Sequence, residues 1–509
     1  IIPGLPALGL KGVAVAIADG ISSSPVAHIA AQSAVKSFLT DYYCTPDSWT
    51  VKTAAQRVIA AANSWLHAQS RRGQYAYDQD KGYICTLSVV VLKSRTAHLF
   101  HIGDSRIYRI AGNALEQLTQ DHRIAVSSEQ IYLGRALGVG AHVEIDYRAL
   151  PLAVGDVFML ATDGVGEHAD PAFAASTVAR CPDDLDEAAR LIARQAFERG
   201  SDDNLTVQLL RVDRLPDGEA GDVAGHAASL AVPPLPVEGE DFDGYRIVRQ
   251  LHASSRSHVY LAQDRQDDSQ VVIKVPSVDM REDAAYLRRF MMEEWIGRRI
   301  DSVHVLRNHV RDRDTPWLYL ATEFTDGQTL AQWMTDNPRP NLETVRDIVS
   351  QIARGLRAFH RKEMVHQDLR PENIMIDRDG TVKIIDFGSV KVAGVLEAEP
   401  RLDTGDILGT TQYAAPEYFL GEPGTTQSDL YSLGVIAYQM LTGRLPYGAQ
   451  VARTHSRAQQ RRMHYLPAAT TNPTVPPWID GALRKAVHWS PAHRYAAMSE
   501  FEYDLRHPN

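Results

Sequence analysis

The sequence predicts a multidomain α+β protein with two differently built halves, and three observations carry that reading. The chain has 509 residues, more than a single hydrophobic core of about 100 to 200 residues accommodates. The stretch Leu215 to Asp241 has no aromatic residue, no Lys and no Arg, and is rich in Gly, Pro, Ala and acidic positions, the composition of a linker. Apolar patterning also changes across it: short strand-like runs alternate with helical stripes before it, whereas three strand-like runs give way to a helical region after it. Domains are therefore expected at 1–213 and 243–509, with 214–242 a flexible linker.

Composition bounds the function. Hydrophobic residues at 44% and charged ones at 23% match an ordinary globular chain and exclude disordered, collagen-like and disulfide-scaffold classes. With 63 acidic against 53 basic residues and a net charge of -10, there is no general electrostatic attraction to nucleic acid or an anionic membrane. Cys44, Cys85 and Cys181 are odd in number and lack C-x-x-C spacing. They indicate neither a disulfide framework nor a cysteine zinc site, so a cytoplasmic setting is expected. No apolar run approaches the roughly 20 residues of a membrane helix. The chain opens at Ile1 without the basic-then-apolar pattern of a signal peptide, and its end, just after an amphipathic pattern, leaves room for a membrane anchor beyond Asn509.

In the first half, four β-rich runs adjoin acidic residues. Val13 to Ala18 leads to Asp19, His98 to Gly103 leads to Asp104, Val157 to Thr162 leads to Asp163, and Asn204 to Val212 follows Asp202 and Asp203. Helical patterns run over Val51 to Leu66 and Leu185 to Phe197, so a sheet-rich core flanked by helices is expected. In the second half, Tyr245 to Leu251, Val259 to Gln263 and Val271 to Val275 read as strands. Val345, Ile348, Val349, Ile352, Leu356 and Phe359 then form a stripe with a 3.6-residue period. This pattern describes a small β-rich lobe followed by a larger helical one.

The charged loop after that stripe reads His366-Gln367-Asp368-Leu369-Arg370-Pro371-Glu372-Asn373, followed by Asp386-Phe387-Gly388 and Ala415-Pro416-Glu417, with Val272-Ile273-Lys274 on the third strand. In order and spacing these resemble the motifs of protein kinases over residues 243 to 509, which implies a bilobal kinase-like fold and phosphoryl transfer from ATP. The resemblance implies that Lys274 pairs with the α- and β-phosphates and is held by Glu293, with Glu294 as rival. It further implies that Asp386 and Asn373 hold magnesium, Asp368 orients the substrate hydroxyl, and Arg370 supplies charge near the transferred phosphate. Arg370, in place of the usual Lys, favours serine/threonine over tyrosine substrates. The nucleotide site would include the hinge residues Glu323 and Phe324 behind Thr322, and the loop bearing Ser254 and Ser257. Thr410 would support Asp368, Glu417 would pair with Arg494, and Asp429 would brace the catalytic loop. Two departures stand out. His252, Ser254 and Ser257 occupy positions where the family has glycines, which permit close backbone approach to phosphate. Gln367 replaces the Arg that binds a phosphorylated activation loop, so Thr404, Thr410 and Thr411 are not expected to switch activity by that route.

Asp19-Gly20, Gly103-Asp104-Ser105-Arg106, Asp163-Gly164 and Asp203-Asn204, with Leu118-Thr119-Gln120-Asp121-His122 and Arg135-Ala136-Leu137-Gly138 between them, resemble 2C-type metal-dependent serine/threonine phosphatases over residues 12 to 212. That resemblance implies a β-sandwich flanked by helices and a site for Mg2+ or Mn2+, ions suited to hard carboxylate ligands. Asp19 would bridge two metals, Gly20 would offer its carbonyl, Asp163 and Asp203 would complete the first metal, and Asp104 would serve a third. Residues 1–18 contain no Asp, Glu or Arg, whereas the family carries an Arg and acids on its first strand, so either domain 1–213 lacks that strand or it holds its second metal weakly. His28, His98, His101, His122, His142 and His168 have no paired metal-ligand spacing and read as solvated or satisfied side chains.

Together the resemblances imply a bacterial-type bifunctional kinase/phosphatase acting on protein Ser/Thr and phosphoprotein substrates, with autophosphorylation among its reactions. The alternative is a signalling scaffold with a pseudokinase, an inactive phosphatase, or both.

Overall fold

The computed structural model describes residues 5–72, 78, 81–112, 114–125, 131–215, 230–309, 315–398 and 412–508. They form two compact units whose main division falls between Asp222 and Val223. Among the described residues no helix is long and apolar enough to cross a membrane.

The first unit contains β1 (Val13–Ile17), β2 (Leu87–Lys93), β3 (Thr96–Ile102), β4 (Arg106–Ala111), β5 (Ala114–Gln117), β6 (Arg123–Ala125), β7 (Ile131–Leu133), β8 (Asp146–Pro151), β9 (Val157–Ala161) and β10 (Val207–Arg211). They pair as two antiparallel sheets, β1-β2-β3-β8 and β10-β9-β4-β5, and a separate β6-β7 ladder. Strand alternation sorts the side chains into layers. Ala14, Ala16, Val89 and Val91 face the helices Ala27–Cys44 and Val51–Arg72. Ile17, Val90, Leu99, Ile107, Phe158 and Leu160 fill the space between the sheets. Met159 and Ala161 meet Ala174, Ala188 and Ile192 of the helices Pro171–Arg180 and Leu185–Glu198. The unit is thus a β-sandwich flanked by helices. Because β2 is covered on both faces, its sequence is nearly continuously apolar rather than alternating.

The second unit opens with a five-stranded antiparallel sheet in sequential order, β11 (Asp241–Phe242), β12 (Tyr245–Ala253), β13 (Ser257–Asp264), β14 (Gln270–Pro276) and β15 (Leu320–Glu323). The helix Ala284–Gly297, whose first turn is capped by Asp283 accepting from the Tyr286 N–H at 2.9 Å, lies between β14 and β15 in sequence. The larger lobe is built on the helices Leu342–His360 and Thr426–Thr442, whose Val349, Ile352, Leu356, Leu433 and Ile436 belong to one buried cluster.

Of the expected linker, residues 216–229 lie outside the described residues. From Leu230 onward the chain is part of the small lobe. Ala231 donates to the Pro316 carbonyl at 2.9 Å and accepts from the Leu318 N–H at 2.8 Å, pairing in parallel with Trp317. On either side of it, Leu230 and Val232 pack against Phe290, Met291, Leu318 and Leu320. The apolar residues spaced two apart give this short piece one extended face to bury.

A buried ion pair ties the far end of the large lobe together. Arg494 donates through both terminal nitrogens to the two carboxylate oxygens of Glu417 at 2.8 and 2.7 Å, and Ser428 donates to the same carboxylate at 2.6 Å. Burial pushes the Glu417 carboxyl up, but Arg494 and Ser428 outweigh it and hold it below its ordinary value. Arg494→Ala should lower the unfolding free energy of this unit by about 3–5 kcal/mol, the cost of stranding a buried charge, read from its urea midpoint. The wild-type contribution should be fully present above the unfolded carboxyl's pKa of about 4.5 and fade as pH falls through the lowered folded value.

Candidate active sites

In the second unit, β14 presents Lys274 to the helix carrying Glu293. The ammonium donates to both carboxylate oxygens of Glu293 at 2.9 and 2.8 Å and lies 3.7 Å from Asp386. Burial disfavours the ammonium, yet the Asp386 and Glu293 carboxylates more than compensate and hold its pKa above the ordinary value. Asp386, pushed up by burial, is brought below its ordinary value by Lys274 and by the Gly388 N–H, which donates to it at 3.1 Å. Glu294, the rival for Lys274, pairs instead with Arg298.

The loop from His366 to Asn373 is fixed from beneath by Asp429, buried on the helix Thr426–Thr442. One of its oxygens accepts from the His366 N–H at 2.9 Å and from the His360 ring at 2.8 Å, and the other accepts from the Gln367 N–H at 3.0 Å. Gln367 sits at φ 66°, a left-handed conformation uncommon for a non-glycine residue, and the carboxylate clamp holds it there. His366 is buried edge-on to Phe359, which in turn contacts Phe387, each at 5.5 Å between ring centroids. Burial lowers its pKa and favours the neutral ring. Asn373 donates to the Asp368 carbonyl at 3.0 Å and carboxylate at 3.2 Å, while Arg370 donates to Glu372 at 3.0 Å. Glu323 ends β15 and accepts from Lys383 at 2.8 Å, with Phe324 half-buried after it and Thr322 paired with Val272. Thr404, Thr410 and Thr411 lie outside the described residues.

In the first unit, Asp19 follows β1, Asp163 opens the short helix after β9, and Asp203 precedes β10. Oxygens of these three carboxylates all lie within 4.8 Å of one another. Thr86 positions Asp19, its hydroxyl accepting the Asp19 N–H at 2.9 Å and its N–H donating to the Asp19 carbonyl at 2.7 Å. Gly20 bridges to Cys85, and a Cβ on it would stand 2.6 Å from the Ala27 backbone, so the tight turn after Asp19 requires glycine. Burial, followed by the charges of Asp163 and Asp203, pushes the Asp19 carboxyl up to about 7. Three carboxylates this close together fit a divalent cation.

Asp104 is disposed differently. It follows Gly103, which has φ 107° and no room for a side chain against Thr86, and its carboxylate is held by Arg123 of β6 at 2.8 Å. The expectation that Asp104 serves a third metal therefore meets a guanidinium already at that carboxylate. Arg123 directly follows the Leu118-to-His122 motif, but its contact spans 19 residues and leaves no local pattern. His101 and His122 are satisfied by hydrogen bonds rather than clustered as ligands. His101 contacts the Ser88 hydroxyl at 2.9 Å and the Gln120 carbonyl at 3.0 Å, while His122 accepts from the Gly103 N–H at 3.1 Å and turns its other nitrogen to Asp146.

A family model described as "Protein kinase domain" matches residues 245–504, just over half the chain. The chain belongs to the protein kinase family. A second model, "Protein phosphatase 2C", matches residues 9–207, so a PP2C-type domain precedes the kinase domain. The chain is 30% identical over 267 residues to the serine/threonine-protein kinase PrkC of Bacillus subtilis, covering 52% of this chain and 40% of that relative. It is 36% identical over 208 residues to the serine/threonine-protein kinase PknA of Corynebacterium glutamicum, covering 40% of this chain and 44% of the relative. It thus spans about two fifths of the length of these curated relatives. The crystal structure of the Mycobacterium tuberculosis PknI kinase domain is similar at 25% identity with a TM-score of 0.42, covering 53% of this chain and 99% of that one.

In the kinase domain, the loop at the family's glycine positions caps itself. The Ser254 hydroxyl accepts from the Arg256 and Ser257 N–H groups at 3.3 and 3.1 Å and donates to the Ser257 carbonyl at 3.1 Å, while Tyr286 donates to the Arg256 carbonyl at 2.8 Å. Two backbone donors are thereby occupied by a side chain. Ser254→Gly should free them and lower the KM for ATP roughly 2- to 10-fold, the worth of a hydrogen bond of about 0.5–1.5 kcal/mol, measured by initial rates over a range of ATP concentrations. An unchanged or raised KM would show that the serine cap does not compete with nucleotide.

Proposed function

We propose that this chain is a bifunctional signalling enzyme whose kinase domain transfers the γ-phosphoryl group of ATP to protein Ser and Thr hydroxyls and whose PP2C-type domain hydrolyses phosphoproteins. The observation that carries the kinase reading is the single ammonium of Lys274 shared between Glu293 and Asp386. That arrangement holds one cation ready for nucleotide phosphates beside a carboxylate suited to Mg2+. Asp386 and Asn373 would hold the metal. Asp368, oriented by Asn373, would accept the substrate hydroxyl proton, with Arg370 offering positive charge nearby. Glu323 and Phe324 would line the adenine side, and the loop from Ser254 to Ser257 the phosphate side. Protein Ser/Thr residues, including those of the chain itself, are the acceptors.

For the PP2C-type domain, Asp19, Asp163, Asp203 and the Gly20 carbonyl would hold Mg2+ or Mn2+. Such ions, when bound, polarise a phosphoryl oxygen and activate water. Thr86 keeps Asp19 in register with that cluster. We place the protein in the cytoplasm, where a reducing environment suits the free Cys44, Cys85 and Cys181.

Two substitutions test the two halves separately. Asp368→Asn should lower transfer of radiolabelled phosphate from ATP to a protein acceptor by at least about 100-fold, the scale of losing a general base, while leaving nucleotide affinity nearly unchanged. Label incorporation at the wild-type rate would sink the kinase assignment. Asp163→Ala should weaken Mn2+ binding in calorimetric titration of the nucleotide-free protein and abolish Mn2+-dependent release of phosphate from a phosphopeptide. Chelator-resistant hydrolysis would contradict the metal-site reading.

A further inference from the structure

Arg123 is a long cation placed among carboxylates that the resemblance reserves for metal ions. One terminal nitrogen lies 2.8 Å from Asp104 and 3.2 Å from Asp163, the Nε donates to Asp104 at 2.8 Å, and the other terminal nitrogen pairs with Glu167. Asp104 is buried and Asp163 belongs to the three-carboxylate cluster with Asp19 and Asp203. The guanidinium therefore bridges the edge of that cluster to the neighbouring acid. A divalent ion shared by Asp104 and Asp163 would have to displace it.

We infer that Arg123 is a tethered cation that holds the Asp104–Asp163 position in place of a metal ion, confining divalent metal in this domain to the Asp19–Asp163–Asp203 cluster. Three physical arguments support this. Guanidinium does not lose its proton at any working pH, so the position is filled permanently rather than when metal is abundant. Its planar fork supplies donors to several carboxylate oxygens at once, which a bare point charge on a flexible stem does not. It is also covalently attached through β6, so it competes as an intramolecular ligand at high effective concentration against ions that must come from solution. Arg123 is thus a positioning residue: it orients Asp104 and one side of Asp163 and leaves the remaining oxygens of the cluster to the metal. Neutralising it should create a divalent site that the wild type lacks.

This rests on reading Asp19, Asp163 and Asp203 as metal ligands, and the test separates the two claims. The full chain, free of nucleotide and stripped with chelator, is dialysed to equilibrium against Mn2+, and bound metal is counted per chain by elemental analysis. Comparison among variants cancels any ion taken up by the kinase domain. Arg123→Gln should bind one more Mn2+ than wild type. Arg123→Gln combined with Asp104→Asn should return to the wild-type count. Equal counts for wild type and Arg123→Gln would overturn the inference while leaving the metal cluster intact. If Arg123→Gln does not fold by circular dichroism, Asp104→Asn alone decides: an unchanged Mn2+ count is expected because Asp104 serves the guanidinium, and loss of an ion would overturn the proposal. Equal binding by wild type and Asp163→Ala would overturn both the inference and the metal reading beneath it.

Discussion

A carboxylate taken out of water must find a positive partner or give up its charge, because the desolvation cost of an unpaired buried ion exceeds what folding can spare. Much of the organisation of both units follows from how each acid meets that demand. Glu417 is answered by Arg494 inside the large lobe. Glu293 and Asp386 share Lys274, so one charge links a helix of the small lobe to the loop that carries Asp386. Asp104 is answered by Arg123. Asp19, Asp163 and Asp203 crowd together with Arg123 only at the Asp163 edge, and burial together with the neighbouring acids raises the Asp19 carboxyl. Permanent pairs hold shape, whereas the crowded three-carboxylate cluster is where an external cation gains most.

The same accounting applies to hydrogen bonds around the catalytic loop. Asp429 spends its oxygens on the His366 and Gln367 amides and the His360 ring, so a loop with little regular structure is pinned at its base by a helix buried in the lobe. Such pinning lets Gln367 keep a backbone conformation that costs free energy on its own. It also leaves Asp368 and Asn373, a few residues on, to organise each other. The loop from Ser254 to Ser257 is ordered by a different route, with a serine hydroxyl accepting from two of its own amides.

Much of this was legible in the sequence where local pattern and physical role coincide. The run Val157 to Thr162 becomes the strand Val157–Ala161, and the stripe from Val345 to Phe359 lies within the helix Leu342–His360, because burial of one face or both writes its period into the residues. The carboxylates at strand ends were likewise visible, since each adjoins a β-rich run. The helix Ala27–Cys44 was not, because alanines at 27, 30 and 34 supply much of its buried face and alanine contributes little hydrophobic contrast. Arg123 was invisible for another reason. Its partners Asp104 and Asp163 are 19 and 40 residues away in sequence, and only the tertiary fold brings them together.

The segment Leu230–Val232 alters what counts as the kinase's own polypeptide. Its leucine and valine cover Phe290 and Met291 on the helix that also bears Glu293, and Ala231 adds backbone hydrogen bonds at Trp317's flanks. A kinase fragment cut at Tyr245, where the kinase family match begins, would leave that apolar face bare to water and to other molecules. The helix Ala284–Gly297 would then carry a sticky, unsupported flank, and an excised or transplanted domain would inherit a solubility and positioning defect unrelated to its chemistry. The residues in the family match therefore stop short of those that pack into the small lobe.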